Sequence, residues 1–409
     1  MTLPSISVLP FSPDWIHDCL PAMTVYLDNA ASTPPAPEVL TAVTHVMTEL
    51  YANPSSAHGL GAAAARALEQ ARAQVAALLR AQPAEIVFTC GGTEANALGV
   101  LGAAALARGR HVVVSAIEHP AVLRSAESLV GKGWQLDKVA PAPDGRVTVD
   151  AVLACLRPDT AVVAVMLANN EIGTLQPVAE IGRALRAAGR RLHFHVDAVQ
   201  FAGLISLDVA TLGADSLAIS GHKLHGPKGT GALWLRKGAR VAPLWDGGRQ
   251  ENGLRSGTEN LPGWVGLGRA ADLCRQNPQA GAAVAAQRDR LESLIVEAIP
   301  QATTTVPAST PRAPHIASIR LPVLPAEPLL HALEARGVYA SAGAACSTRS
   351  HGPSHVLAAI GVREQDAVLR FSLSRLTTES DVTLAARALR EAVDEIADVV
   401  KHRPRGARP

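Results

Sequence analysis

Two side chains stand out as nucleophiles by type and setting, Lys223 and Cys346. Only six lysines occur in the 409 residues, and lysine is mostly a surface residue. Lys223 closes Ser220-Gly221-His222-Lys223, directly behind the apolar run 215–220 (DSLAIS). In such a setting a lysine can have its pKa lowered and form an imine with a carbonyl. The competing reading is a solvated loop lysine beside the Gly226-Pro227 turn; taken alone, the residue fits both. Cys346 ends a run of small residues, Ser341-Ala342-Gly343-Ala344-Ala345, and opens a polar stretch that reaches Pro353. This reads as a mobile loop that exposes the thiol. Arg349, His351 and His355 follow, and a cation near the sulfur favours the reactive thiolate.

Further polar groups fall at the ends of apolar runs. Gly91-Gly92-Thr93-Glu94 follows 85–89 (EIVFT) and precedes a helical pattern over 95–106. A glycine turn that feeds a helix offers free N–H groups to a phosphate, with the Thr93 hydroxyl beside them, or it is simply a tight turn. It lacks the lysine of a nucleotide-binding P-loop. Asp197, in His195-Val196-Asp197-Ala198-Val199-Gln200, closes an apolar run. It is either a helix cap or a carboxylate that keeps a cofactor's ring nitrogen protonated. His119 follows 111–116 (HVVVSA), and Asn169-Asn170-Glu171 follows 161–167 (AVVAVML).

Those side chains need a common edge, and the pattern of the chain supplies one. The runs 85–89, 111–116, 161–167, 191–197, 215–220 and 231–235 read as strands buried on both faces. Helical patterns lie between several of them, such as 61–80 with Leu68, Ala71, Val75, Leu78 and Leu79 on one face. Strands of this kind separated by helices imply an α/β fold with a largely parallel sheet, whose ligands bind at the carboxyl ends of the strands. A long helix over 276–301, then short strands at 316–320, 338–341 and 369–373, point to a smaller α+β domain. The expected divisions are an N-terminal segment (1–24), a large domain (25–275), a small domain that carries the Cys346 loop (276–400) and a basic tail (401–409).

With 48% hydrophobic residues, 18% charged residues and a net charge of +2, the chain lacks the concentrated basic surface of a nucleic-acid binder. No Lys or Arg precedes Arg66, so neither a secretory nor a mitochondrial leader is expected. No apolar run reaches the ~18 residues of a membrane span, and a cytoplasmic protein is the expectation. Five cysteines without a Cys-x-x-Cys pair suit neither a disulfide framework nor a metal site.

Taken together, these segments resemble the cysteine desulfurases of the NifS/IscS type, a branch of the pyridoxal-5′-phosphate (PLP)-dependent class V aminotransferases of fold type I. The resemblance runs from about residue 25 to about residue 389. It includes Tyr26-Leu27-Asp28-Asn29-Ala30-Ala31-Ser32-Thr33, the Gly-Gly-Thr-Glu loop, Glu118-His119, Asn169-Asn170-Glu171-Ile172-Gly173, His195 to Gln200, Ser220 to Lys223, Arg255-Ser256-Gly257-Thr258-Glu259-Asn260, the Cys346 loop and Arg370-Phe371-Ser372-Leu373. It implies a large domain built on a mostly parallel seven-stranded sheet and a homodimer. Lys223 would bond PLP and later shuttle a proton, Asp197 would pair with the ring nitrogen, His119 would stack on the ring as an acid or base, and Gln200 would bond the phenolic oxygen. Gly92, Thr93, Ser220 and His222 would hold the phosphate, with Thr258 reaching the phosphate of a partner subunit. Asn170 and Arg370 would grip the α-carboxylate of L-cysteine. Cys346 would take its sulfur as a persulfide for an acceptor protein of iron–sulfur cluster assembly or tRNA thiolation. A selenocysteine lyase or another class V enzyme is the alternative, and a non-catalytic scaffold a remoter one. Two features depart from the family pattern: the segment before Val25, and Arg349 and His351 within the loop.

Overall fold

The computed structural model describes residues 24–343 and 354–401. Its strands, in chain order, are β1 (Val25–Tyr26), β2 (Ile86–Thr89), β3 (His111–Ser115), β4 (Gln135–Val139), β5 (Thr160–Ala164), β6 (His193–Asp197), β7 (Ser216–Ser220), β8 (Gly231–Leu235), β9 (Thr303–Thr304), β10 (Ile316–Leu321), β11 (Val338–Tyr339), β12 (Ser341–Ala342) and β13 (Ala367–Ser372). The large sheet has seven strands in the order β2-β8-β7-β6-β5-β3-β4. The neighbours from β7 through β4 are parallel, whereas β8 runs antiparallel to both β7 and β2. The expected α/β fold with a mostly parallel sheet is therefore the one observed.

The six apolar runs all form strands. Of the seven strands of this sheet only β4 lacks a counterpart among them, because its sequence QLDKV alternates in polarity. It lies at the edge of the sheet, paired only with β3, where one half-solvated face removes the need for a continuous apolar run.

The helices that frame this sheet follow from local signals. Helix α1 (Pro37–Glu49) starts with proline in its first turn, where the missing N–H costs nothing. Helix α2 (Gly59–Leu79) is capped by His58, which accepts from the Gly61 N–H, and stops at Arg80 in the left-handed region. Helix α3 (Gly92–Ala97) runs into a π-helical turn, Leu98–Gly102. Helix α4 (Pro120–Val130) begins at the His119 cap. Helix α5 (Leu261–Gln276) packs against α2, with Gly268 so close to Ala71 that a Cβ would approach its backbone to 2.7 Å. Trp264 of α5 stacks on Phe88 of β2 with ring centroids 5.0 Å apart, joining helix layer and sheet in one core.

Helix α6 (Ala280–Ala298) occupies the span expected for a long helix. It packs with helix α7 (Glu379–Lys401) beside a four-stranded antiparallel sheet in the order β12-β13-β10-β9. The first strand of the described residues belongs to this second core. β1 pairs in parallel with β11, and Val25 and Leu27 are buried among residues of α6, β10, β13 and α7. The N-terminal entry therefore ties the two halves together. It also carries Asp28, Asn29, Ala30 and Ala31 across the carboxyl edge of the large sheet.

Candidate active site

Strands β3, β5, β6 and β7 end on one edge, and each delivers a polar residue there. β3 leads to Glu118 and His119, β5 to Asn169 and Asn170, β6 ends in Asp197, and β7 leads through Ser220 to Lys223. Lys223 is only 9% exposed, so it is not a solvated loop lysine. Its Nζ donates to the carbonyls of Ala30 at 2.5 Å and Ala31 at 2.7 Å.

Asp197 is buried, and both of its oxygens are engaged. Oδ1 accepts from the Val199 N–H at 2.9 Å and Oδ2 from Asn96 Nδ2 at 2.8 Å. Burial raises its pKa, opposed by His119, by these two hydrogen bonds and by Lys223. His119 has its pKa lowered by burial, against the pull of Asp197 and with the help of Lys223. Its Nδ1 accepts from the Ala121 N–H at 3.1 Å, so the ring proton of the neutral imidazole sits on Nε2. One histidine thus caps helix α4 and also presents an N–H beside Asp197 and Lys223. Asp197, by contrast, caps no helix: its Oδ1 closes a turn on the Val199 N–H, and the short helix Val199–Phe201 starts from Ala198 without a side-chain cap.

Gln200 donates from Nε2 to the Ala30 carbonyl at 2.9 Å, and its Oε1 faces His315 Nε2 at 3.1 Å. Gly92 packs directly on Ser220 and Val199. A Cβ there would come within 2.6 Å of Val199 and 3.4 Å of Ser220, so only glycine lets the N-terminus of α3 approach the end of β7 this closely. His222 is half-buried, with Nδ1 3.3 Å from Ser32 Oγ. Burial, then Lys223 and Lys228, lower its pKa to about 4. Thr93 and Thr258 are both exposed.

Arg370, on β13, is 2% exposed. Its Nη1 donates to the Asn170 carbonyl at 2.8 Å, and its Nη2 pairs with Asp28 Oδ1 at 2.7 Å. Its Nε has no partner among the described residues. Nε and Nη2 form the edge of a guanidinium that matches a carboxylate, and here that edge is half filled. Asp28 is the residue that sequence reasoning left without a role, although it lies within a motif that was recognised.

Three groups that the sequence named only as parts of motifs also take definite places. Glu118 is fully buried; its Oε1 accepts from Ser115 Oγ at 2.5 Å and from the Met166 N–H at 2.7 Å, while Oε2 has no partner among the described residues. Burial raises its pKa to about 8. Asn169 builds the turn after β5, accepting from the N–H groups of Glu171 and Ile172. Glu171, buried, accepts from Ser354 Oγ at 2.5 Å. Cys346 lies outside the described residues, between Gly343 and Ser354.

A group held in this site would meet an amine at Lys223, a buried carboxylate at Asp197, an imidazole N–H at His119, a glycine-lined helix start at Gly92 and a guanidinium edge at Arg370. That set suits a flat, phosphorylated ring with an electrophilic carbonyl, together with an amino-acid carboxylate.

Comparison with known proteins agrees with this geometry. The family model described as "Aminotransferase class-V" matches residues 25–384. A cysteine desulfurase of Trichormus azollae is 41% identical over 376 residues, which cover 91% of this chain and 93% of that one. Cysteine desulfurase IscS of Methanosarcina thermophila is 40% identical over 380 residues, covering 92% and 93%. Among solved structures, a NifS-like protein superposes with a TM-score of 0.84 at 34% identity, covering 91% of this chain and all of that one.

Proposed function

We propose that this chain, which belongs to the class-V aminotransferase family, is a PLP-dependent cysteine desulfurase that converts L-cysteine to L-alanine and leaves the sulfur on Cys346 as a persulfide. The observation that carries this reading is the convergence of Lys223, Asp197 and His119 on one buried edge, with the half-filled Nε/Nη2 edge of Arg370 beside Asn170.

PLP, when bound, supplies an electron sink for the carbanion at the substrate Cα. Lys223 Nζ would hold the cofactor at its carbonyl carbon, and the same amine would serve as the base for the proton on the substrate Cα. Asp197 would hold a proton on the ring nitrogen, His119 would cover the ring face and Gln200 would meet the phenolic oxygen. Gly92, Thr93, Ser220 and His222 would hold the phosphate, and Thr258, exposed on this chain, would reach the phosphate of a second copy in a homodimer. Arg370 receives the substrate α-carboxylate through Nε and Nη2, with Asp28 displaced from Nη2, and Asn170 supports the same carboxylate. The Cys346 thiolate attacks the substrate sulfur. The Cβ–S bond breaks, an S–S bond forms, and protons taken up at Cβ and then at Cα complete alanine. Cysteine and one thiol thus give alanine and one persulfide, with no external oxidant. An acceptor protein, in the cytoplasm, takes the sulfur onward.

The test is the Cys346→Ala variant purified with PLP. It should keep the parent's visible absorption band and lose sulfide release from L-cysteine in the presence of a thiol reductant. Sulfide release at the parent rate would overturn the role of Cys346. A parent protein without a visible band after addition of PLP would overturn the cofactor.

A further inference from the structure

Strand β6 reads His193-Phe194-His195-Val196-Asp197, so the two histidines and the aspartate share one face of the sheet. Along that face the polar atoms touch in an unbroken series. Asn96 Nδ2 lies 2.8 Å from Asp197 Oδ2, and Asn96 Oδ1 lies 2.8 Å from His195 Nε2. His195 Nδ1 is 2.8 Å from Ser216 Oγ, which is 2.7 Å from His193 Nε2. The series spans the length of β6, about 13 Å. It starts at half-buried His193, in a surface groove lined by Arg190, Arg191, Asp215 and Arg236, and ends in the site at Asp197.

Donor and acceptor rules leave this series only two self-consistent senses. If Asp197 is a carboxylate, it can only accept, so Asn96 must turn its amide NH₂ toward it. Asn96 Oδ1 then needs the proton on His195 Nε2. His195 Nδ1 becomes an acceptor for the Ser216 hydroxyl, whose oxygen accepts from His193 Nε2–H. Every donor then points toward Asp197, and bonds aligned this way polarise one another. In the opposite sense Asp197 must itself carry a proton and donate to Asn96. The direction of the whole series is therefore tied to the charge of one carboxylate.

The surroundings keep the series neutral and in place. His195 is fully buried and its pKa falls to about 3, through burial and then His193. Burial lowers His193 to about 4, with Arg236 in the same direction and Asp215 opposing. The π-helical turn provides room for the ring: a Cβ on Gly99 would lie 2.3 Å from His195 Nδ1, and π turns of this kind gather at functional sites. On its other side Asp197 faces His119, Lys223 and Glu118.

We propose that Asn96, His195, Ser216 and His193 form a one-way hydrogen-bond relay that holds Asp197 as a carboxylate and fixes the oxygen it offers to the cofactor's ring nitrogen. These four are positioning residues, and the proposal rests on the reading that the site binds PLP. The Ser216 hydroxyl is the link that locks the tautomer of His195. Without it the imidazole is free to carry its proton on Nδ1, which turns Asn96 over and sets its carbonyl against Asp197.

The test is a pH titration of the visible absorption band of the holoenzyme, a readout independent of turnover. Ser216→Ala should move the midpoint by about 0.5–1 pH unit, the scale of one lost hydrogen bond. Ser216→Thr, which keeps the hydroxyl, should titrate with the parent. His193→Phe, at the half-buried outer end, should move the midpoint in the same direction by less, and it carries the test if Ser216→Ala does not fold. Nitrogen-15 resonances of ring-labelled cofactor should shift in parallel, toward the value of an unprotonated pyridine. The relay is overturned if Ser216→Ala and His193→Phe both titrate with the parent, or if Ser216→Thr shifts as far as Ser216→Ala. A parent protein with no visible band would instead refute the cofactor reading, and the relay's purpose with it.

Discussion

The guanidinium of Arg370 offers the sharpest test of how substrate is held. Nη1 is committed to the Asn170 carbonyl, Nη2 to Asp28, and Nε to nothing among the described residues. An incoming carboxylate that occupies Nε and Nη2 gains two parallel charge-assisted hydrogen bonds and gives up one ion pair. Arg370→Lys keeps the charge but replaces the planar fork with a single nitrogen, which cannot serve Asn170 and both carboxylate oxygens together. The loss is one hydrogen bond to a charged group, about 1.5–3 kcal/mol, equivalent to roughly 10- to 150-fold in affinity. Because the carboxylate is held equally before and during the reaction, the change should fall on KM and leave kcat within a few-fold. Initial rates of alanine formation across a range of L-cysteine concentrations, with a thiol reductant present, measure both. A KM within twofold of the parent would refute the assignment of this edge to substrate.

Asp28→Asn removes the charge that competes with substrate for Nη2. It should lower KM several-fold while costing the apo-protein about 1–3 kcal/mol, read from urea denaturation; an unchanged KM would place the carboxylate elsewhere. The pH dependence of folding should follow buried and half-buried histidines whose folded pKa values lie below the ordinary value. They are about 4 for His193, His222 and His225, and about 3 for His195 and His315, with burial the largest cause in each. A depressed histidine contributes stability that is present above the unfolded value of ~6.5 and lost as pH falls toward the folded value. Urea midpoints of the apo-protein should therefore drop from pH 6.5 toward pH 4, with up to about five protons taken up on unfolding. Glu118, raised to about 8, works in the opposite sense: its contribution is present below ~4.5 and lost as pH rises to about 8. Glu118→Gln should flatten the decline between pH 6.5 and 8, and an unaltered decline would show that another group causes it.

Much of this site could be read from the sequence because its parts are local. A buried strand announces itself in five or six consecutive apolar residues, and the polar residue that follows is placed at the carboxyl end by chain connectivity alone. Lys223, Asp197, His119 and Asn170 were found in this way. The edge strand β4 was not, since the polar–apolar alternation of QLDKV carries no buried signature. The capping alternative for Asp197 did not survive in three dimensions: one oxygen closes a turn on the Val199 N–H and the other is bound by Asn96. His119, for which the sequence offered no cap, caps helix α4 through Nδ1.

The sequence by itself thus determined the α/β layering, the shared edge and the types of side chain gathered on it, because backbone periodicity and chain direction act within a few residues. Only the tertiary structure decided what those side chains touch. Asp28 meets Arg370 across 342 residues, Asn96 meets Asp197 across 101, and His195 meets Ser216 across 21. These partners are chosen by the order of strands in the sheet and by the passage of β1 from the small core across the edge of the large one. No local pattern encodes that choice, since a buried hydrogen bond is specified by where two remote backbones bring their side chains and not by the residues that flank either one.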